Sequence, residues 1–198
     1  MPVAQSIIRD EHRSLAAVLH GLAFLVAEIQ ARRAVPDFRL LEAMLRYVEE
    51  FPEKLHHPKE DRHLFRALRE RDPGAAALLA ELEEEHARGR GLLADLSGAL
   101  ARYRAGAGVA SFAVALDAYA RFHWEHMRKE EDVLLPRAER ALTGEDWQEV
   151  DAAFQANADP LAAVDKRALR ELFRTIAHLA PPPIGVGPAR RAPGEEGG

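Results

Sequence analysis

The 198-residue chain contains no cysteine. That absence removes disulfide bonds, thiolate zinc sites, cysteine-ligated iron–sulfur clusters and a cysteine nucleophile in one step. Long apolar stretches are missing too. The longest, "GLAFLVA", falls far short of the roughly 20 residues that cross a bilayer. Basic charge is not in excess either: 27 Lys and Arg stand against 32 Asp and Glu, a formal net charge of -5. No Lys/Arg cluster offers a surface for nucleic acid or for an anionic membrane, so neither partner is expected. The opening "MPVAQSIIRDEHRSL" meets a charged residue too soon for a secretory leader, and a cytoplasmic location is the expectation.

Strand-like alternation is also scarce, and the periodicity is helical throughout. A first helix is predicted from about Ala4 to Arg33, ended by "RRAVPD". A second starts near "PDFRLLEAML" and reaches "RERDPG", passing Pro52 and Pro58, each of which removes a backbone donor and tends to kink a helix. A third runs from about Ala75 to Arg104, and a fourth from about Ala110 to Leu142 with Pro136 near its end. The fold class expected is all-α: an antiparallel up-down four-helix bundle over 1–142. "TGEDWQEVDAAF", with Thr143 as N-cap, and "DKRALRELFRTIAHL" should form a helical pair over 143–180 that packs on the bundle. The Pro/Gly-rich segment 181–198 reads as a flexible tail.

What is abundant is histidine, nine in all, and its placement is patterned. "HHPKEDRHLF" from His56 and "HMRKEEDVLL" from His126 both fit H-x-x-K-E-[DE]-x-x-L-[FL]. Each helical residue turns the chain by about 100°, so the face of every polar group can be assigned. His12 lies in the stripe of Ile8, Leu15 and Leu19, and His86 in that of Leu79, Leu82, Leu93 and Leu100. His56 and Glu60 share a side with Leu41, Leu45 and Ala67, while His126 and Glu130 share one with Phe112, Tyr119, Phe122 and Val133. Glu60 and Glu130 stand about 40° from their histidines, on the inward side. Asp61 and Glu131 stand about 140° away, facing outward or sideways, as bystanders or as outer partners of the inward groups at most.

A single histidine on an apolar face is most often a core residue satisfied by a hydrogen bond. Four on four successive helices, two of them joined by an inward carboxylate, call for another account. Burying two carboxylates without compensating cations costs several kcal/mol each. A metal centre removes that cost. Imidazole and carboxylate without thiolate suit iron, manganese or zinc, and two bridging acids suit two ions rather than one.

On His12 in "DEHRSL", His56 and Glu60 in "HHPKE", His86 in "EEEHARG", and His126 and Glu130 in "HMRKE", the chain resembles the hemerythrin-like proteins of the HHE cation-binding group, over about Gln5 to Leu142. The resemblance implies a four-helix bundle holding a non-haem di-iron centre. Glu60 and Glu130 would bridge the two iron ions, and His12, His56, His86 and His126 would be terminal ligands. It implies oxygen binding or sensing, handling of nitric oxide or peroxide, or a response to iron itself, with a small diatomic or peroxide ligand as partner. Two positions depart from the oxygen carriers. Their third helix carries H-x-x-x-H, where this chain has Arg90, and their last helix uses H-x-x-x-x-D, which would select Glu131 rather than Glu130. An arginine near two cations is costly unless it swings out or pairs with an acid.

The other histidines are weighed by phase. His63, nearly in phase with His56, is a candidate replacement ligand, outer partner or lid; His123 could ligate or hydrogen-bond a bridging acid. His20 reads as structural, His57 as surface or, as a neighbour within the motif, an outer partner of the site, and His178 has no partner signal. Tyr119, Phe122 and Trp124 read as core packing, with Tyr119 a possible donor to a bound oxygen species. Two other functions stay open: a di-metal oxidase or peroxidase, and a metal-responsive interaction module in which the C-terminal helical pair reports occupancy to a protein partner.

Overall fold

A computed structural model describes residues 2–155, together with Arg174 and His178, and is helical with no strand among the described residues. The expected flexible tail and most of the expected second C-terminal helix lie outside the described residues. Four helical rods come first. Rod 1 is α1 (Val3–Gln30). Rod 2, spanning 38–71, joins α2 (Phe38–Val48), a π-helical segment Glu49–His56, α3 (His57–Lys59), a second π-helical segment Glu60–Phe65 and α4 (Arg66–Arg71). Rod 3 is α5 (Ala76–Arg104), entered through a 3-10 turn at Pro73–Ala75. Rod 4, spanning 110–141, joins α6 (Ala110–Lys129), a π-helical segment Glu130–Leu134 and α7 (Leu135–Ala141); α8 (Gly144–Gln155) follows.

The rod ends are set by local chemistry. Arg32 takes a positive φ of 58° and Arg33 N–H donates back to Glu28 O at 2.9 Å, closing α1. Asp37 then caps α2 by accepting from the backbone of Arg39 and Leu40. Gly106, at φ 104°, makes the turn after α5, a conformation costly for a residue with a Cβ. Thr143 Oγ1 accepts from Asp146 N at 3.2 Å while Asp146 Oδ2 accepts from Thr143 N at 2.8 Å, a reciprocal box that starts α8. From α8, Asp151 reaches across to accept from Ala4 N at 2.7 Å, which caps the otherwise uncapped start of α1. Trp147, Val150 and Phe154 form its buried face.

The interior is layered along the rods. One apolar cluster holds Leu15, Leu19, Leu22, Leu41, Met44, Leu96, Leu100, Phe112 and Tyr119; the other holds Ile8, Leu64, Phe65, Leu68, Leu79, Leu82, Leu134, Leu135 and Phe154. Between them every rod turns polar: His12 on rod 1, His56 to Glu60 on rod 2, His86 on rod 3, His123 to Glu130 on rod 4. By length and composition α1 could cross a membrane, yet half of its most apolar window is buried in the bundle, as in a core helix.

The π-helical segments correct the helical phase. A π-turn accommodates one extra residue, so the inward face moves on by one position. Val133, expected inward, is 47% exposed, and Leu134 takes its place at 0%. His63, expected in phase with His56, is half-buried, and Leu64 faces the core instead. Proline explains where the ladder widens. Pro52 lies inside one π-helical segment, while Pro58 and Pro136 fall in the first turns of α3 and α7 beside the others.

Candidate metal centre

The polar layer brings together all six residues singled out as ligands: His12, His56, Glu60, His86, His126 and Glu130 are each at most 4% exposed. Their donor atoms fall into two sets, His12–His56–Glu60–Glu130 and Glu60–His86–His126–Glu130, within 4.8 Å inside each set. Both sets contain both acids. The carboxylates divide their oxygens between the halves: Glu60 puts Oε1 3.4 Å from His56 Nε2 and Oε2 3.6 Å from His86 Nε2. Glu130 puts Oε2 3.2 Å from His12 Nε2 and Oε1 3.3 Å from His126 Nε2.

Each of these four imidazoles is held by its other nitrogen. Nδ1–H donates from His56 to Glu11 at 2.8 Å, from His86 to Asp61 at 2.9 Å, from His126 to Glu85 at 2.9 Å and from His12 to Glu131 at 2.9 Å. The donors form a closed ring, because rod 1 holds the histidine of rod 2, rod 2 that of rod 3, rod 3 that of rod 4, and rod 4 that of rod 1. A carboxylate on Nδ1 fixes the tautomer and leaves the Nε2 lone pair pointing inward. Asp61 and Glu131 are therefore outer partners rather than bystanders. Glu11 and Glu85 were missed by the sequence reading, although each directly precedes a histidine of the layer, in "DEHR" and "EEHA".

The doubled motif now accounts for each recurrent letter. Its histidine and glutamate enter the layer, and the next acid holds a histidine on the following rod. Its lysine anchors an outer carboxylate: Lys59 approaches Glu11 at 3.5 Å, and Lys129 donates to Glu85. The closing Leu64–Phe65 and Leu134–Leu135 pack beyond the π-turns at 0% exposure.

The electrostatics fit a cation. Both oxygens of Glu60 and of Glu130, and Nε2 of His86 and His126, are buried without a hydrogen-bond partner. Orphaned acceptors converging from three rods are costly unless something positive sits among them. Without metal, protons play that part. Burial lowers the three imidazoles, but the carboxylates beside them outweigh it: His12 is raised to about 9 by Glu130 and Glu131, His86 to about 9 by Asp61, Glu130 and Glu60, and His126 to about 10 by Glu130, Glu85 and Glu60. Burial and the neighbouring Glu130 push Glu60 up to about 7. Burial opposes ionisation of Glu130 as well, yet His126, His12 and His86 hold it well below the ordinary carboxylate range.

The remaining histidines separate clearly. His57, expected at the surface, is only 3% exposed and stacks on His86 with ring centroids 4.1 Å apart. The reason is that rod 2 lies between rods 1 and 3, so consecutive residues reach both: His56 meets His12, and His57 meets His86. His123 is fully buried, 4.3 Å from the Tyr119 ring, but joins none of the donor sets. His20 is exposed and stacks on Trp124 at 5.0 Å; His63 joins no set, and His178 is exposed. Arg90 is exposed, and its charge acts on the buried carboxylate of Glu53, where it favours the ionised form against burial.

Fold and site together define a helical protein whose buried histidine–glutamate layer can hold cations. The family model of the hemerythrin HHE cation binding domain matches residues 3–138, and the chain belongs to that family. Neither the curated proteins nor the solved structures compared gave a match.

Proposed function

We propose that the layer is a non-haem di-iron centre in an up-down antiparallel four-helix bundle, and that it binds or senses a small oxygen-, nitric oxide- or peroxide-type ligand, or iron itself. The carrying observation is the division of each buried carboxylate between two histidine pairs: Glu60 faces His56 and His86, and Glu130 faces His12 and His126. One shared acid would suit one ion; two shared acids with two separate imidazole pairs suit two. The antiparallel order is supported by cross-rod partners that fall in number on one rod as they rise on the next. On rods 2 and 3, Glu42 pairs with Arg104, Asp61 with His86, and Arg69 with Glu83.

In this reading Glu60 and Glu130 would be shared by the two ions, and His12, His56, His86 and His126 would offer Nε2 as terminal ligands. Glu11, Asp61, Glu85 and Glu131 hold the rings in position. Iron fits a thiolate-free set of imidazole and carboxylate, as do manganese and zinc. Bound iron would supply ligand exchange and one-electron redox chemistry. The test is metal analysis with absorption spectroscopy on protein purified without a histidine tag. About two irons per chain with oxo-bridge charge-transfer bands are expected; a protein that takes up zinc alone, or nothing, refutes the di-iron form.

A second reading, an oxidase or peroxidase built on the same centre, is favoured by Tyr119 and His123. The Tyr119 hydroxyl and both His123 nitrogens are buried without a hydrogen-bond partner beside the layer, where they could hand protons to a small substrate. Steady peroxide turnover that Tyr119→Phe slows would select it.

A further inference from the structure

We infer that His57 is a fifth imidazole ligand, serving the His86–His126 half of the centre, and that Glu53 is the carboxylate that positions it. The inference rests on the two-ion reading above and adds an inequality between its halves.

Three observations carry it. A ring nitrogen of His57 lies within 4.8 Å of ring nitrogens of His86 and His126, a third donor set made wholly of imidazole and wholly buried. The ring belongs to that side, since it stacks on His86 at 4.1 Å and meets His126 edge to face at 5.4 Å.

Glu53 supplies the second observation. Its carboxylate is 4% exposed, and both oxygens are buried with no hydrogen-bond partner. A carboxylate in that state needs a reason; His57 Nδ1 lies 3.6 Å from Oε2, and the charge of the exposed Arg90 also acts on it. This repeats, at longer range, the Nδ1–carboxylate arrangement of the other four histidines, and leaves Nε2 for the metal. Gly89 preserves the space, because a Cβ there would meet Glu53 Oε1 at 3.2 Å and His123 Nε2 at 3.4 Å.

The third observation is asymmetry. In the second copy of the doubled motif the position of His57 is held by Met127, which packs into the apolar cluster with Leu15 and Leu19. The bundle does not need a histidine at that place. One half of the centre therefore has two imidazoles and the other three, and the two ions bind with unequal strength.

The experiment is titration of the metal-free full chain with Co2+, read by visible absorption and by competition with a chelator. Wild type, His57→Ala, His57→Gln, Glu53→Gln and His20→Ala are compared, with circular dichroism as the check of folding. Wild type should bind two ions in two steps. His57→Ala and His57→Gln should weaken one ion by at least about 10-fold and change its absorption envelope, leaving the other intact; Glu53→Gln should weaken the same ion by about 10-fold. His20→Ala, which removes an exposed imidazole outside every donor set, should alter neither step. Folded His57 variants that bind both ions with wild-type affinity and spectrum overturn the assignment. Wild-type protein that binds fewer than two ions overturns the two-ion reading and this assignment with it.

Discussion

Glu131 accepts the Nδ1 proton of His12 at 2.9 Å, while the adjacent Glu130 sets Oε2 3.2 Å from Nε2 of the same ring. Two neighbouring acids on one rod thus grip both nitrogens of an imidazole on another. Glu131 orients the ring, whereas Glu130 shares its cation in the proposed centre, and substitutions should separate the two roles.

Glu131→Gln and Asp61→Asn keep the shape of the outer partner and remove its charge. Each should lower metal affinity by about 10- to 100-fold while the protein stays folded and still takes up two ions at saturation. Chelator competition measures the affinity, and metal analysis at saturation measures the stoichiometry.

Glu60→Gln and Glu130→Gln should both reduce loading below two ions per chain. Their effects on the metal-free protein should differ. Glu130 is held ionised by His126, His12 and His86, so removing its charge strands those imidazoles and lowers the melting temperature. Glu60 is pushed up to about 7 by burial and by Glu130, so at pH 8 its amide should leave the metal-free melting temperature equal or raise it. Scanning calorimetry of the two metal-free variants at pH 8 decides the contrast.

Stability of the metal-free protein should fall on the alkaline side. His12, His86 and His126 are raised to about 9, 9 and 10 in the folded chain, above the 6.5 of an unperturbed imidazole. Their contribution is fully present below about pH 6.5 and lost as pH rises through the raised values, on the order of 3 to 5 kcal/mol each. Metal displaces those protons, so loading at pH 7.5 should release about three protons per chain, and affinity should drop as pH falls. Calorimetry in two buffers of different ionisation enthalpy counts the protons.

The phase change at the π-turn has its own test. Leu134→Ala should destabilise by about 3 kcal/mol, as expected for a buried leucine, while Val133→Ala should stay within about 0.5 kcal/mol. The reverse ranking would mean a regular α-helix through Glu130. Chemical denaturation of the two variants gives the answer.

Much of this was legible in the sequence because α-helical periodicity assigns faces to residues one or two turns apart. His12, His56, Glu60, His86, His126 and Glu130 all face the layer, and the rod ends at "RRAVPD" and "RERDPG" fall close to Gln30 and Arg71. The same periodicity failed for Val133 and His63, where a widened turn adds a residue that no single-period rule carries. It failed for His57 because a face was judged against one neighbour, whereas rod 2 has two. Glu11 and Glu85 stayed hidden in runs of surface charge, since an outer carboxylate is defined by a ring on another rod. Only packing brings that ring to it.

The closed ring of Nδ1 donors ties retention of metal to the whole bundle. Prising one rod away removes its own imidazole and also the carboxylate that steadies the imidazole of the next rod. A local breath at one end of a helix does neither. Escape of an ion should then wait for the rare opening that parts neighbouring rods, giving residence times set by the unfolding rate rather than by side-chain motion.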